Sequence, residues 1–235
     1  MDPIKVFPAE IISDLILPYL DLAELCILRG VSHAWQDFVN EYFAMIKRLD
    51  LTDVLDLITE VGCQSIFKHL SKLQNVCLDK CWRIATKNNL NTLLSNCSDL
   101  RSYSSRRCKH VDDEVLEVMA RNCGKLESID ISHCFQITDS GVIQLFKNCN
   151  RIRAFSTAGN YGFTDEAVKF MGMHCTNLEE LDCGSCFQVT DIGLKTLLEG
   201  KCMHLSYIRI KGCLKVSEDM TQRLVERDIE VNNCF

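Results

Sequence analysis

"CFQITDSGV" at Cys134–Val142 and "CFQVTDIGL" at Cys186–Leu194 agree at six of nine positions. Two of the three changes exchange one apolar residue for another, and the offset is 52 residues. Half of that offset organises the chain. Cys81, Cys108, Cys134, Cys186 and Cys213 fall on one grid, with Asn160 in the gap, at steps of 27, 26, 26, 26 and 27. Cys97, Cys123, Cys149, Cys175 and Cys202 form a second grid at steps of 26, 26, 26 and 27. Ten of the fifteen cysteines therefore stand on two phased ladders.

A fixed period of about 20–29 residues is the signature of leucine-rich repeats, and each unit here has the physical logic of one. "LESIDISHC" (Leu126–Cys134) alternates apolar and polar residues, as a short half-buried strand does; "LEELDCGSC" (Leu178–Cys186) and "LSYIRIKGC" (Leu205–Cys213) repeat it. An apolar residue then turns inward: Ile137, Phe163, Val189, Val216. A capping type follows, Asp112, Thr138, Thr164, Thr190 or Ser217, whose side-chain oxygen can accept the free amides of a first helical turn. The helix comes next, as in "SGVIQLFKNC" with Val142, Leu145 and Phe146 on one face. One unit cannot bury its apolar face; a stack can. The spacing predicts parallel strands near 49–51, 76–78, 103–105, 129–131, 155–157, 181–183 and 208–210, with a shortened one near 229–231 followed by Cys234. The fold class expected is α/β: a small N-terminal helical unit (residues 1–45), then a leucine-rich-repeat solenoid (residues 46–235) of about seven units, strands on the concave face and helices on the convex one.

Composition narrows the function. The chain has 235 residues and a net charge of −6, with acid and base intermixed, which argues against a nucleic-acid binder. No window approaches 18 uncharged apolar residues, so no membrane span is expected. "MDPIKVFPAE" lacks the apolar run of a secretion signal, so the cysteines are expected to be reduced thiols and the chain cytoplasmic or nuclear.

No catalytic constellation is visible. The gridded cysteines read as packing residues: the first stands just after a strand where coils stack, the second near a helix end, and Asn160 could bond the adjacent backbone from the same slot. Cys183 and Cys186 make a CxxC, but Cys183 takes the inward position held by Ile131 and Ile210. Cys77 and Cys81 have the wrong spacing for that motif, although Cys77 is expected to point outward, where it could be reactive. The six histidines show no paired spacing, and phosphate-loop and dinucleotide fingerprints are absent. No metal site and no cofactor are expected.

The first 45 residues differ in kind. All three prolines, Pro3, Pro8 and Pro18, lie there. "FPAEIISDLILPYLDLAELCILRGVSHAWQDFV" (Phe7–Val39) reads as short apolar helices; Pro8 suits a first helical turn, Pro18 ends the first helix, and Ser32 caps the one beginning in "VSHAW". The "FP-x-E", "LDLAELC" and "VSHAW" segments resemble an F-box. With "C-x-x-[IV]-T-D-x-G" recurring behind it, the chain resembles the F-box/leucine-rich-repeat family across nearly its whole length. The resemblance implies the substrate-recognition subunit of an SCF-type cullin-RING ubiquitin ligase. Such a subunit is not itself an enzyme. Its F-box docks a Skp-type adaptor, and through it cullin and RING subunits, while the repeats hold a protein substrate near the transferred ubiquitin. Carried onto matching positions, Pro8, Ile16, Leu20, Leu25, Val31 and Trp35 would form or support the adaptor face; Leu25, Val31 and Trp35 equally suit the core of a small helical unit.

A substrate would meet the concave face, where Glu180 and Asp182 stand beside Tyr207, Arg209 and Lys211. The residue after each first-grid position is Trp82, Lys109, Phe135, Tyr161, Phe187 or Leu214. Four of the six are aromatic in a chain that is 8% aromatic, so Phe135, Tyr161 and Phe187 are expected to line up as an edge strip that serves as cladding, anchor or both. Two other classes stay open: a repeat scaffold that docks no adaptor, and, more distantly, a thiol or zinc enzyme.

Overall fold

The computed structural model describes residues 9–52 and 58–233. Three helices come first: α1 (Ala9–Leu15), α2 (Leu22–Arg29) and α3 (His33–Met45), with a 3₁₀ turn at Leu17–Tyr19 that contains Pro18. Asp21 and Glu24 cap α2 reciprocally, each carboxylate accepting the other residue's backbone N–H at 2.8 and 2.9 Å. Ser32 Oγ accepts from Trp35 N at the start of α3.

From Arg48 onward the chain is a right-sized strand–helix repeat, and all eight strands join one parallel sheet in sequence order. They are β1 (Arg48–Asp50), β2 (Asn75–Cys77), β3 (Ser102–Ser104), β4 (Ser128–Asp130), β5 (Ala154–Ser156), β6 (Glu180–Asp182), β7 (Tyr207–Arg209) and β8 (Glu230–Asn232). The intervening helices are α4 (Glu60–Phe67), α5 (Lys87–Asn96), α6 (Asp113–Asn122), α7 (Asp139–Asn148), α8 (Asp165–His174), α9 (Asp191–Glu199) and α10 (Glu218–Val225). This is the leucine-rich-repeat solenoid the period implies. The buried apolar residues form one continuous core from Ile12 to Ile229.

Seven strands begin and end one residue earlier than expected, and the gridded residues explain why. Leu78, Ser105, Ile131, Thr157 and Cys183 keep their N–H in the sheet ladder. Their carbonyls instead accept from the next coil's grid residue: Cys108 Sγ at 3.0 Å, Cys134 Sγ at 3.1 Å, Asn160 Nδ2 at 3.0 Å, Cys186 Sγ at 3.3 Å and Cys213 Sγ at 3.0 Å. The slot needs a small side chain that donates. Cys97, Cys123 and Cys202 do the same at helix ends, bonding Leu70 O, Leu94 O and Met171 O. β8 instead lies one residue later than expected, at 230–232. Cys234 lies outside the described residues.

A second ladder runs along the helix starts. Thr138, Thr164 and Thr190 cap their own helices, accepting from Ser140, Glu166 and Ile192 N. Each also gives its N–H and hydroxyl to the carboxylate of the preceding coil, Asp113, Asp139 or Asp165, at 2.6–2.9 Å. Gly141 belongs to this device: a Cβ there would lie 2.3 Å from Asp113 Oδ1.

Candidate functional site

Two surfaces carry side chains that the fold itself does not consume. The first is the N-terminal helical unit. Leu25 and Trp35 are only 5% and 8% exposed and belong to its core together with Val39 and Phe43. Ile16 and Leu20 are half-buried against that core. Only Val31, of the described residues expected to form an adaptor face, stands fully exposed; Pro8 lies outside the described residues. The apolar side chains that do face solvent are Ile11, Leu15, Tyr19 and Ile27, with Tyr19 at 81% and Ile27 at 71%. Sequence reasoning missed them because a helix of seven or eight residues offers too few turns to separate an inner stripe from an outer one.

The second surface is the concave face. Register places Asn75, Ser102, Ser128, Ala154, Glu180 and Tyr207 in one row and Cys77, Ser104, Asp130, Ser156, Asp182 and Arg209 in the next. Further along, Ser132 and Gly184, in line with Lys211, are buried. Their amides are taken up by Asp130 and Asp182 of the preceding strands. Arg209 Nη1 lies 3.4 Å from Asp182 Oδ2, so part of the charge expected to meet a partner is neutralised within the chain. Glu180 and Lys211 remain exposed and Tyr207 half-buried.

The edge strip is formed. Phe135 and Tyr161 stack with centroids 5.4 Å apart and planes 8° from parallel; Tyr161 and Phe187 stack at 5.8 Å and 16°. All three are exposed, Tyr161 most at 57%. His133 meets Phe135 edge-on at 6.2 Å. The strip continues toward the N-terminus with Lys109 Nζ 5.0 Å from the Trp82 ring centroid, a cation–π contact.

Beside the strip lies a feature the sequence concealed. The residue before each first-grid position is left-handed throughout: Lys80, Arg107, His133 and Ser185 at φ 59–61°, Gly159 at 74° and Gly212 at 79°. Three adjacent coils hold a basic residue where two others hold glycine. The recurrence of glycine at that slot was the available signal.

Among the described residues the cysteines have no catalytic arrangement. Cys183 and Cys186 are buried, and their thiols turn to different coils, toward Arg209 O and Thr157 O. Cys77 is half-buried, and burial raises its thiol above the ordinary range, which disfavours the reactive thiolate. Among the described residues no group of three or more His, Cys, Asp or Glu side chains is placed to hold a metal ion, and no helix is long and apolar enough to cross a membrane.

Fold and faces together define a leucine-rich-repeat solenoid led by a small helical unit. No family model matches the chain, and no curated protein matches its sequence. Solved structures do match in fold. A chain of the yeast Rad7 and Elc1 complex superposes with a TM-score of 0.56 at 18% identity, over 82% of this chain and 57% of that one. This chain thus spans little more than half the length of that structure. The leucine-rich-repeat-containing protein LegL7 of Legionella pneumophila matches at a TM-score of 0.49 and 13% identity, over 83% of this chain and 70% of that one.

Proposed function

We propose that the chain is a substrate receptor of an SCF-type ubiquitin ligase, acting in the cytoplasm or nucleus. The N-terminal helices dock a Skp-type adaptor, which brings cullin and RING subunits, and the solenoid holds a protein substrate. The observation that carries the reading is the unit at residues 9–45, whose motifs resemble an F-box and which leaves Leu15, Tyr19, Ile27 and Val31 exposed. Exposed apolar side chains gathered on one small unit suit a protein partner. The yeast Rad7 and Elc1 complex offers a precedent for this fold within a two-protein assembly. Catalysis is then a matter of placement: holding a substrate lysine near an activated ubiquitin makes a bimolecular transfer effectively unimolecular.

The test is affinity capture of an adaptor and cullin by the full chain from cells. Tyr19→Ala with Ile27→Ala should abolish capture while the circular dichroism melt stays in place, since both side chains are exposed. Absence of adaptor and cullin from the wild-type capture would sink the reading and leave a repeat scaffold.

A further inference from the structure

We infer that the loop edge of the concave face is a binding groove for an acidic, extended peptide segment that carries an apolar anchor residue. The inference rests on the proposed role of the repeats as the substrate-holding part. Charge is the first observation. The chain is acidic overall, at −6, yet Lys80, Arg106, Arg107, Lys109 and His133 cluster on three successive coils. Two carboxylates lie among them, fewer than the basic side chains. Asp79 accepts from Ser104 Oγ and Arg106 N at 2.5 and 2.9 Å. Asp130 accepts from Ser132 N and faces Arg106 at 3.7 Å. Lys80 and Arg107 make no ion pair among the described residues, and Lys109 has only the Trp82 ring.

Shape is the second observation. A cavity of about 340 Å³ is lined by Arg107, Lys109, His133 and Phe135, and another of about 330 Å³ by Asp79, Lys80, Arg106 and Arg107. Arg107 borders both, so the two lie side by side, and Phe135, the first ring of the aromatic strip, lines the first. Backbone conformation is the third. Lys80, Arg107 and His133 adopt φ near 60°, which disfavours any side chain, although glycine fills the same slot at Gly159 and Gly212. His133 reaches over Gly159, where a Cβ would lie 2.4 Å from its Nδ1. Ser185 shares this backbone at φ 59°, so the conformation belongs to the repeat, and what sets three adjacent coils apart is that Lys80, Arg107 and His133 are the side chains it projects at the loop edge.

The charges choose the occupant. They are strung along the arc, one coil apart, or about 5 Å. A phosphate wants donors converging on one point; carboxylates on one side of an extended segment are spread out at ~7 Å intervals, which long lysine and arginine side chains strung along the arc can reach. A nucleic acid would meet Glu180 and Asp182 further along the same face. An aromatic or aliphatic residue of the peptide then seats on Phe135 and Tyr161, whose stacked rings lose little freedom on binding.

The test measures fluorescence anisotropy of a labelled peptide of Asp and Glu around one Phe, titrated with the full chain. The same titration is run with a neutral peptide bearing one phosphoserine and with oligothymidylate. The acidic peptide should bind best, and physiological salt should weaken it several-fold relative to low salt. Lys80→Gly with Arg107→Gly keeps the backbone conformation of Gly159 and Gly212, so the fold survives, and affinity should fall about tenfold or more. Tyr161→Ser should cost a comparable factor. Equal binding by these variants, binding insensitive to salt, or preference for the phosphopeptide or the oligonucleotide overturns the inference. Adaptor capture is scored on the same proteins. Capture without acidic-peptide binding defeats the groove alone, whereas peptide binding without capture defeats the ligase reading alone.

Discussion

Raising the pH from about 8 to about 10 should strip much of this protein's stability, and the cysteine ladders set how steeply. Cys63, Cys97, Cys123, Cys134 and Cys186 are each no more than 1% exposed. Desolvation by burial pushes each thiol up from 9.0 to about 12. Below pH 9 the thiol is protonated in folded and unfolded chains alike, and its stabilisation is fully present. Between 9 and 12 the unfolded chain releases the proton while the folded chain holds it, so stability falls as pH rises. Each thiol favours the unfolded chain by about 0.4 kcal/mol at pH 9 and about 1.4 kcal/mol at pH 10. These five alone remove about 7 kcal/mol by pH 10, within the ~5–15 kcal/mol that keeps a domain folded. Ionisation also ends the S–H bonds that Cys97, Cys123, Cys134 and Cys186 give to neighbouring carbonyls. Urea melts in reducing buffer at pH about 8, 9 and 10 read the effect. A Cys97→Ala, Cys123→Ala variant should be weaker near neutrality yet lose stability less steeply, by about 1 kcal/mol between pH 9 and pH 10 for each thiol removed. An unchanged urea midpoint up to pH about 10, or the same slope in the variant, refutes the reasoning.

Further outcomes follow from single side chains. Asn160→Ala removes the bonds from Nδ2 to Ile131 O and Thr157 Oγ1 and should cost about 2 kcal/mol. Asn160→Cys keeps a donor to Ile131 O and discards the unpaired Oδ1, so it should fall within about 1 kcal/mol of wild type by urea melt; equal losses for both would show that the slot does not select a donor. Gly172→Ala would place a Cβ 2.5 Å from Thr196 O between α8 and α9, and should cost about 1–3 kcal/mol despite alanine's better helix propensity. A raised melting temperature would mean that the two helices part freely. Trp35→Ala should cost about 3–5 kcal/mol as a core deletion, whereas Tyr19→Ala should shift stability by less than about 0.5 kcal/mol; comparable melting shifts would contradict their assignment to core and surface.

The period was legible because the slots behind it have one physical solution each. A small donor must reach the carbonyl of the coil before, so cysteine recurs and asparagine substitutes. What crosses from coil to coil was harder to read. Thr138 was visible as a cap because capping is local, but the Asp113 carboxylate that receives its hydroxyl lies 25 residues away. The glycine of "T-D-x-G" is the trace of that contact at Gly141 and Gly193, where a Cβ would crowd Asp113 and Asp165. It is only a partial trace, for Ala167 occupies the equivalent place beside Asp139. Strand ends were misjudged by one residue for the same reason: alternation shows which side chains turn inward, not which carbonyl a thiol on the next coil will claim.

The candidate groove obeys the opposite logic. Repetition exposes a slot, whereas a ligand requires successive coils to differ at it. Phe135, Tyr161 and Phe187 could be aligned from spacing because three coils agree. Lys80, Arg107 and His133 could not, since Gly159, Ser185 and Gly212 complete their column and the six read as noise. Only the shared left-handed backbone turns them into a column. Glycine shows what that backbone prefers; Lys80, Arg107, His133 and Ser185 depart from it, and the first three do so on adjacent coils. In a solenoid, stability lies in what the coils share, so a departure that costs stability on adjacent coils is where binding chemistry is to be sought.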